Sequence, residues 1–536
     1  MNVKEKFLAT FKTLESRKQQ WDSTYEEVYE YCMPQRNLFS EAVNGAKRDN
    51  AQVVFDSTAV NGTQKFVSNI QNVLVPPMKK WARLKAGMFL KNEDGQDDPK
   101  VLKELEIMEN RLFDCLHASA FDQAVSEALY DVAAGTGALL IRPGTNRQPL
   151  LVEAVPIAKL YIATGADNTV DTVFRKMKVQ YRNIMDTWPD AKIPKEMQEA
   201  YAQKPMDECE LIEGMYPAEV TATYMVGGVQ KTEKVMGFKY CILATKGDHL
   251  LVERDEEFLP WVVFRWSVVA GEWYGRGPLL YALPDIKTLN KSIEFDLKAA
   301  AMTGQPPLLV GDDGVMSLEN MKLEPAIAIP VYWDMAGPKI QYLNPPPYSN
   351  LQRIIVEDLR KNINEMLFTD PLGPIDAPVK TATEQTIRQQ EYANRSGSSF
   401  GRLFRELVAK TVDVSLKCLE KVIDPEGNPM IELNMFRVNG LEIDVQSLSP
   451  LATLQEEEEI LSLMRYSRHM MEIKGPEMLE TVLNTAEYAR KIATHLSLPE
   501  GIVPTEEQSA QIQQNIMAMA QEQLSQQTPQ AAPEVG

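Results

Sequence analysis

Two acidic pairs, Asp97-Asp98 and Asp312-Asp313, and two spaced glycine pairs, Gly135-x-Gly137 and Gly275-x-Gly277, are where this chain comes nearest to a reactive site. Paired carboxylates can hold a divalent cation, and closely spaced glycines let backbone N–H groups cradle a phosphate. Each falls short of the full pattern. Neither acidic pair has a third ligand beside it, and two glycines are only two-thirds of a phosphate loop, so all four read as backbone turns. The five cysteines (Cys32, Cys115, Cys209, Cys241, Cys418) include no C-x-x-C pair. The four histidines (His117, His249, His469, His495) lack ligand spacing. Zinc is therefore not indicated, and the thiols are expected to be reduced and mostly buried. No segment fits GxxxxGKS/T, HExxH, GxSxG or a complete GxGxxG between strand and helix. The residues give no catalytic, cofactor or metal site, and the expectation is a protein that is not an enzyme.

At 536 residues the chain is too long for one ordinary core, and two to four domains are expected. A hydrophobic content of 44% with 24% charged residues is that of a globular protein, and no apolar run is long enough for a transmembrane helix. The N-terminus, MNVKEKFLATFKTLESRKQQWD, is amphipathic without a signal core, so a cytoplasmic protein without a membrane partner is expected. Net charge is −19, from 56 basic and 75 acidic residues. That balance argues against gripping DNA through its phosphates, which takes a basic face. It allows a chain that encloses DNA without holding it, because an acidic wall repels phosphate; plain solubility is the default alternative.

Any function must then lie in how the elements are arranged. Residues 1 to 35 read as a helix, with Phe7, Phe11, Leu14, Trp21, Tyr25, Val28 and Tyr29 on one stripe and Pro34 ending it. Asp56 and Ser57 cap a second helix that Pro76-Pro77 stops, and WARLKAG reads as a short strand. Residues 100 to 134 read as one long helix broken by Gly135-Thr136-Gly137; strands follow to about Arg175 and again from Cys209 to Val269. The first 270 residues are thus an α+β body.

From Gly271 the pattern changes. GEWYGRGP opens an amphipathic segment, Pro278 to Met302, with Leu279, Leu280, Leu283, Ile286, Leu289, Ile293 and Leu297 on its apolar stripe. A Pro/Gly-rich, β-like insert, Gly304 to Pro347, follows, with one short helix expected near Leu318. A second amphipathic segment, Tyr348 to Phe368, returns, its stripe being Leu351, Ile354, Ile355, Leu359, Ile363 and Met366. Two helices that leave a body, carry a small tip and come back form a stalk of roughly 30 to 37 Å. One chain cannot bury both stripes alone, so neighbouring copies are implied. A proline-rich loop starts at Asp370; Thr381 to Glu384 fits a capping box opening a long helix to about Val422, with a kink expected at Arg395 to Gly401. Beyond Pro450 three helices are expected, then a disordered tail.

The blocks GEWYGRGPLLYALPDIKTLNKSIEFDLKAA, LLVGDDG, TATEQTIRQQEYANRSGSSFGRLFRELV and LSPLATLQ, with WDSTYEEVYEYCMPQRNLF and DSTAVNGTQKFVSNIQNVLVPPMKKWARLKAG, span roughly residues 20 to 465. In this order they resemble the head-to-tail connector, or portal, proteins of short-tailed, T7-like bacteriophages.

That resemblance implies an α+β, mostly α, portal fold assembled as a ring, usually of twelve subunits, at one capsid vertex in the virion after assembly in the host cytoplasm. Residues 1–275 would be the wing, 276–302 and 348–369 the two stem helices around a DNA channel, and 303–347 the β-rich clip. Residues 381–449 would be a long wing helix and its return, 450–525 the crown and 526–536 the tail. The loop Asp370-Pro371-Leu372-Gly373-Pro374-Ile375-Asp376-Ala377-Pro378-Val379-Lys380 would be the tunnel loop narrowing the channel. The implied partners are the terminase large subunit, major capsid and scaffolding proteins, a tail adaptor, internal core proteins and double-stranded DNA, which terminase packages through the ring and which leaves by it on ejection. Lys287, Lys291, Lys298 and Lys361 would make sparse phosphate contacts in the channel or, equally, ion pairs between subunits with Glu294 or Glu357. Two other readings stand beside this one: a nucleic-acid-processing enzyme with a helical arm, and a tail or scaffold structural protein.

Overall fold

Helix α1, Val3–Cys32, buries Phe7, Phe11, Leu14, Tyr25, Val28 and Tyr29 along the stripe the sequence predicts, and Pro34 begins a short 3₁₀ turn that ends it. In this computed structural model the described residues are 2–36, 38–39, 54–87, 99–226, 229–306, 308–311, 328–331, 340–342, 350–369, 397, 399–423, 427–431, 443–448, 462, 464–470 and 472. Helix α2, Thr58–Leu74, starts where Asp56 accepts the Thr58 N–H at 2.8 Å, a side-chain cap for an otherwise free donor. Strand β1, Ala82–Ala86, follows.

The long helix expected over residues 100 to 134 is two. Helix α3, Pro99–Ala118, ends where the Ser119 hydroxyl donates to the Leu116 carbonyl and accepts from the Phe121 N–H, and α4, Phe121–Ala134, restarts from there. The serine satisfies backbone groups at both helix ends, so the apolar stripe continues although the backbone does not.

Strands β2 (Thr136–Thr145), β3 (Gln148–Ala154), β4 (Leu160–Thr164) and β5 (Val170–Gln180) come next. The sequence pattern shows no element between Arg175 and Cys209, but two short helices lie there, α5 (Tyr181–Thr187) and α6 (Lys195–Gln203). Then come β6 (Glu208–Val226), β7 (Val229–Ala244), β8 (His249–Glu256) and β9 (Trp261–Arg265). The turn Lys246-Gly247-Asp248 joins β7 to β8 with positive φ at Gly247 and Asp248. One antiparallel sheet has the order β4-β5-β6-β7-β8 and a second β3-β2-β9. Buried Arg175 ties them: its guanidinium meets Glu213 of β6 at 2.5 Å and Glu153 of β3 at 3.0 Å.

Helix α7, Pro278–Gly304, has Pro278 at its first turn, where the missing N–H costs nothing. In the insert, β10 (Leu308–Gly311) pairs in parallel with β11 (Ala328–Val331) and antiparallel with β12 (Ile340–Tyr342). The expected helix near Leu318 lies outside the described residues. Helix α8, Asn350–Met366, packs along α7. The loop Asp370 to Lys380, the capping box at Thr381 and three of the seven residues where a kink is expected also lie outside the described residues; the other four, 397 and 399–401, are helical. The irregularity that is described comes later: Phe404–Ala409 is a π turn, which runs into α9, Lys410–Glu420. Strand β13, Ile443–Ser447, pairs back to β1.

The chain divides into two compact units, Met1–Ser447 and Leu448–Gly536; in the second, residues 464–470 are helical. Helix is the larger share of regular structure among the described residues, with strand the remainder. No described helix is long and apolar enough to cross a membrane.

Asp131 of α4 sits within the core of the first unit, accepting hydrogen bonds from the Tyr29 hydroxyl of α1 and, at 2.9 Å, from the Ile157 N–H. Burial pushes its carboxyl up to about 7 against the opposing pull of those two bonds. The unfolded chain, with an ordinary carboxyl, releases the proton near pH 4, so this residue's contribution to stability is complete below that and falls as pH rises to about 7. D131N removes the titration. Its stability relative to the parent is expected to rise between about pH 4 and 7, by at most about 4 kcal/mol. Urea midpoints at both ends of that range check it, and parallel pH profiles for the two proteins would sink the assignment.

Candidate functional site

The α7–α8 pair holds the site. Its root is the loop from Trp266 to Gly277, built from residues whose backbone is tied on several sides. Gly275 donates its N–H to the Thr136 hydroxyl at 2.8 Å, and its carbonyl accepts the Tyr25 hydroxyl at 2.7 Å. The Gly277 N–H reaches the Ala134 carbonyl at 2.9 Å, and the Trp266 N–H reaches the Gly135 carbonyl at 3.0 Å. A Cβ on Gly135 would come within 2.0 Å of the Gly275 carbonyl oxygen, and one on Gly275 within 2.3 Å of the Gly135 oxygen. The two glycine pairs are therefore one feature: they let the α4–β2 junction and the root of α7 touch backbone to backbone. The Tyr274 hydroxyl donates to the Leu160 carbonyl and accepts the Ile162 N–H, both at 3.2 Å, fixing the same loop to β4.

Further along, the segment leading into α2 clasps both α7 and α8. The Asn290 side-chain oxygen on α7 accepts the Phe55 N–H at 2.6 Å and the Asp56 N–H at 3.3 Å. Asp56 Oδ2 accepts from Arg360 of α8 at 2.6 and 3.1 Å. Burial raises the Asp56 carboxyl, but the bonds from Thr58 and Arg360 outweigh it and hold the group below the usual carboxylate range.

Burial along α7 stops at this clasp. Leu279, Leu283, Ile286 and Leu289 are buried and Leu280 and Ile293 half-buried, but Leu297 is 54% exposed and Phe295 56%. On α8, Val356 and Ile363 are buried, as is Leu367 just past its end, and Leu359 is half-buried, whereas Ile354, Ile355 and Met366 are exposed; the Leu351 side chain lies outside the described residues.

The four lysines singled out from the sequence all lie on these helices and all have a carboxylate partner in their own chain. Lys287 meets Glu27 of α1 at 2.6 Å, Lys291 and Lys298 share Glu294 at 2.8 and 2.6 Å, and Lys361 lies 3.7 Å from Glu365. Hydrogen bonds from Lys291 and Lys298 hold the Glu294 carboxyl below its ordinary range. Glu27, Glu294 and Glu365 all lie in the same chain as the lysines they meet. The charges in the sequence of these two helices balance: α7 has Asp285, Glu294 and Asp296 with Lys287, Lys291 and Lys298, and α8 has Glu357, Asp358 and Glu365 with Arg353, Arg360 and Lys361. An acidic wall is not what these two helices present.

Among the described residues no group of three His, Cys, Asp or Glu could hold a metal ion. Cys32, Cys209, Cys241 and Cys418 are buried and Cys115 half-buried, all as free thiols.

The family described as bacteriophage head to tail connecting protein matches residues 4–503. The chain belongs to that family. A curated relative of this connector, a probable portal protein of Bordetella phage BPP-1, is 20% identical over 518 residues, 93% of this chain and 88% of that protein. Among solved structures, the connector is similar to a chain of the virion of a native gene transfer agent particle, at 10% identity and a TM-score of 0.32, covering 82% of this chain and 94% of that one. It is also similar to a chain in the neck of an empty particle of the same kind, at 10% identity and a TM-score of 0.33, covering 84% and 92%.

Sequence reading missed the clasp, because its partners are more than 230 residues apart. One signal was there: Asn290 interrupts the apolar stripe between Leu289 and Ile293. If the clasp holds the connector's stem, N290A strands two backbone donors and costs about 1–2 kcal/mol, whereas R360A, at a half-exposed pair, costs less than about 1 kcal/mol. Urea unfolding of both variants checks the order; R360A being the costlier would refute it.

Proposed function

We propose that this chain is a portal subunit: copies close into a ring, about twelve in number, at one vertex of the capsid, and double-stranded DNA passes through the centre during packaging and ejection. The observation that carries the reading is the uncovered outer half of the stem. Phe295, Leu297, Ile354 and Ile355 are large apolar side chains left in water by a single chain whose family joins head to tail. A heterologous contact repeated around an axis covers such faces on every copy at once. The Bordetella phage relative, named as a probable portal protein, supports the same reading.

In this proposal residues 1–275 are the wing, 276–302 and 348–369 the stem, 303–347 a clip that meets the terminase and later the tail adaptor, 381–449 a wing helix and its return, and residues from 450 a crown inside the capsid. Capsid, scaffolding and internal core proteins are the remaining partners. Lys287, Lys291, Lys298 and Lys361 face DNA as weak, replaceable contacts, since exposed ion pairs contribute little and a phosphate can take the carboxylate's place.

The deciding experiment is electron microscopy of the purified chain alongside F295E/L297E. The parent is expected to give closed rings with a central opening of roughly 20 Å or more, wide enough for a duplex. The variant is expected to remain monomeric with an unchanged circular dichroism spectrum. Rings formed equally well by F295E/L297E would remove the stem faces from the interface.

The segment Asp370 to Lys380 is proposed as the tunnel loop that retains packaged DNA. Shortening Pro371 to Pro378 should spare ring assembly and let DNA escape from filled capsids, measured as nuclease-sensitive genome. Full retention by the shortened variant would count against that role.

A further inference from the structure

Arg265, the last residue of β9, is 1% exposed and carries a charge that neither the stem faces nor the proposed DNA path uses. A buried guanidinium is tolerated only when its donors are met, and here three separate stretches of chain meet them. Nη1 donates to the Trp273 carbonyl of the stem root at 3.2 Å. Nη2 donates to the Asn168 carbonyl, in the β4–β5 turn, at 3.0 Å and to Glu406 Oε1 at 2.7 Å. Glu406 Oε2 accepts from Nε at 3.3 Å and from the Arg265 backbone N–H at 2.8 Å. One carboxylate thus takes both a charged fork and a backbone donor.

Glu406 lies inside the π turn, Phe404–Ala409. Such a turn is one residue longer than the helical turn it replaces, and it recurs where a helix must aim a particular side chain. The residues on either side explain its use. Leu403 before the widest part, Leu407 and Val408 within it and Val412 after it are all fully buried. Removing one residue would rotate the chain before the turn by about 100° relative to α9, so that Leu403 and Glu406 could not both face inward.

The geometry points to Arg265 as a positioning residue that couples the helix returning after the stem to the stem's own root, with the π turn setting the register that delivers Glu406 to it. The coupling runs through the Trp273 carbonyl: the amides of Gly275, Arg276 and Gly277, bonded to Thr136, Ser267 and Ala134, follow directly in the same loop. In the proposed portal, a displacement of the returning helix would be felt at the stem by this route. That last clause rests on the portal reading, whereas the coupling itself does not.

The test is amide hydrogen exchange of the full-length chain, read at Gly275, Arg276 and Gly277 and, as an internal reference, at Cys241 and Ile242 of the central strands. E406A is expected to speed exchange at the three root amides by about tenfold or more while the reference amides change less than about twofold. E406Q keeps acceptor oxygen but not charge, and should fall between E406A and the parent. Deleting Ala409, between Glu406 and α9, retains Glu406 but rotates it by about 100° relative to α9, and should match E406A at the root. Unchanged root exchange in E406A, acceleration by one common factor everywhere, or a protected root after Ala409 deletion would each overturn the proposal. If E406A does not fold, E406Q decides by the same criteria. Normal ring formation by the parent together with an uncoupled root would retain the portal reading and discard only this inference.

Discussion

The backbone contact between Gly135 and Gly275 is the constraint on which the arrangement of this chain depends. Gly135 joins α4 to β2, and Gly275 opens the turn into α7, so the contact sets where the stem leaves the body. With no side chain on either residue, carbonyl and N–H groups on both strands find partners at hydrogen-bond distance rather than being held apart. Tyr25 of α1 and Thr136 of β2 then supply polar partners to the buried loop, and Tyr274 of the loop itself ties it to β4. A methyl group at either glycine would have to displace backbone, not a side-chain tip, and the displacement would be inherited by all of α7.

From that root outward the stem passes from packed to unpacked within four turns. As far as Asn290 the helix is part of the body's apolar core, and beyond it no α7 residue is buried. An amphipathic helix in water draws most of its stability from its apolar face. The outer part of the pair rests on the α7–α8 contact, and in the proposed ring a neighbouring copy would add to it by covering Phe295, Leu297, Ile354 and Ile355. The clasp at Asn290 and Asp56 marks the boundary, and its ties are polar because it joins helix ends and irregular backbone rather than two apolar faces.

How much of this was legible in the sequence follows from the range of each interaction. Helices α1, α2, α7 and α8 and strand β1 follow from local periodicity and punctuation and are predicted within a few residues, whereas β2 to β9 are legible only as two undivided runs of strand. The break at Ser119 escaped notice because an uninterrupted apolar stripe hides a serine that serves two helix ends. Helices α5 and α6 are short and polar, with too little period to show. Gly135 and Gly275 were recognised as turns, but that they turn against each other depends on residues 140 apart. The same holds for Arg265 and Glu406, and for Asn290 and Phe55. The four lysines were found on the right helices, yet their carboxylate partners were not fully foreseen, since Glu27 reaches Lys287 from α1.

Charge is where the fold alters the sequence-level argument most. A net charge of −19 suggests walls that repel phosphate, but the stem helices are formally neutral, and each of the four lysines is paired within its chain. Local neutrality has a different physical consequence from acidity. In the proposed channel, exposed pairs of this kind would exchange partners at little cost, so a phosphate passing Lys291 or Lys298 would displace Glu294 and be displaced by it in turn. Binding at any one place would then be shallow, and release of condensed counterions, which makes DNA contacts strong and salt-dependent, would be nearly absent. For a duplex moving through the proposed channel the two effects favour passage in either direction, without the long-range repulsion that a uniformly acidic wall would impose at its mouth.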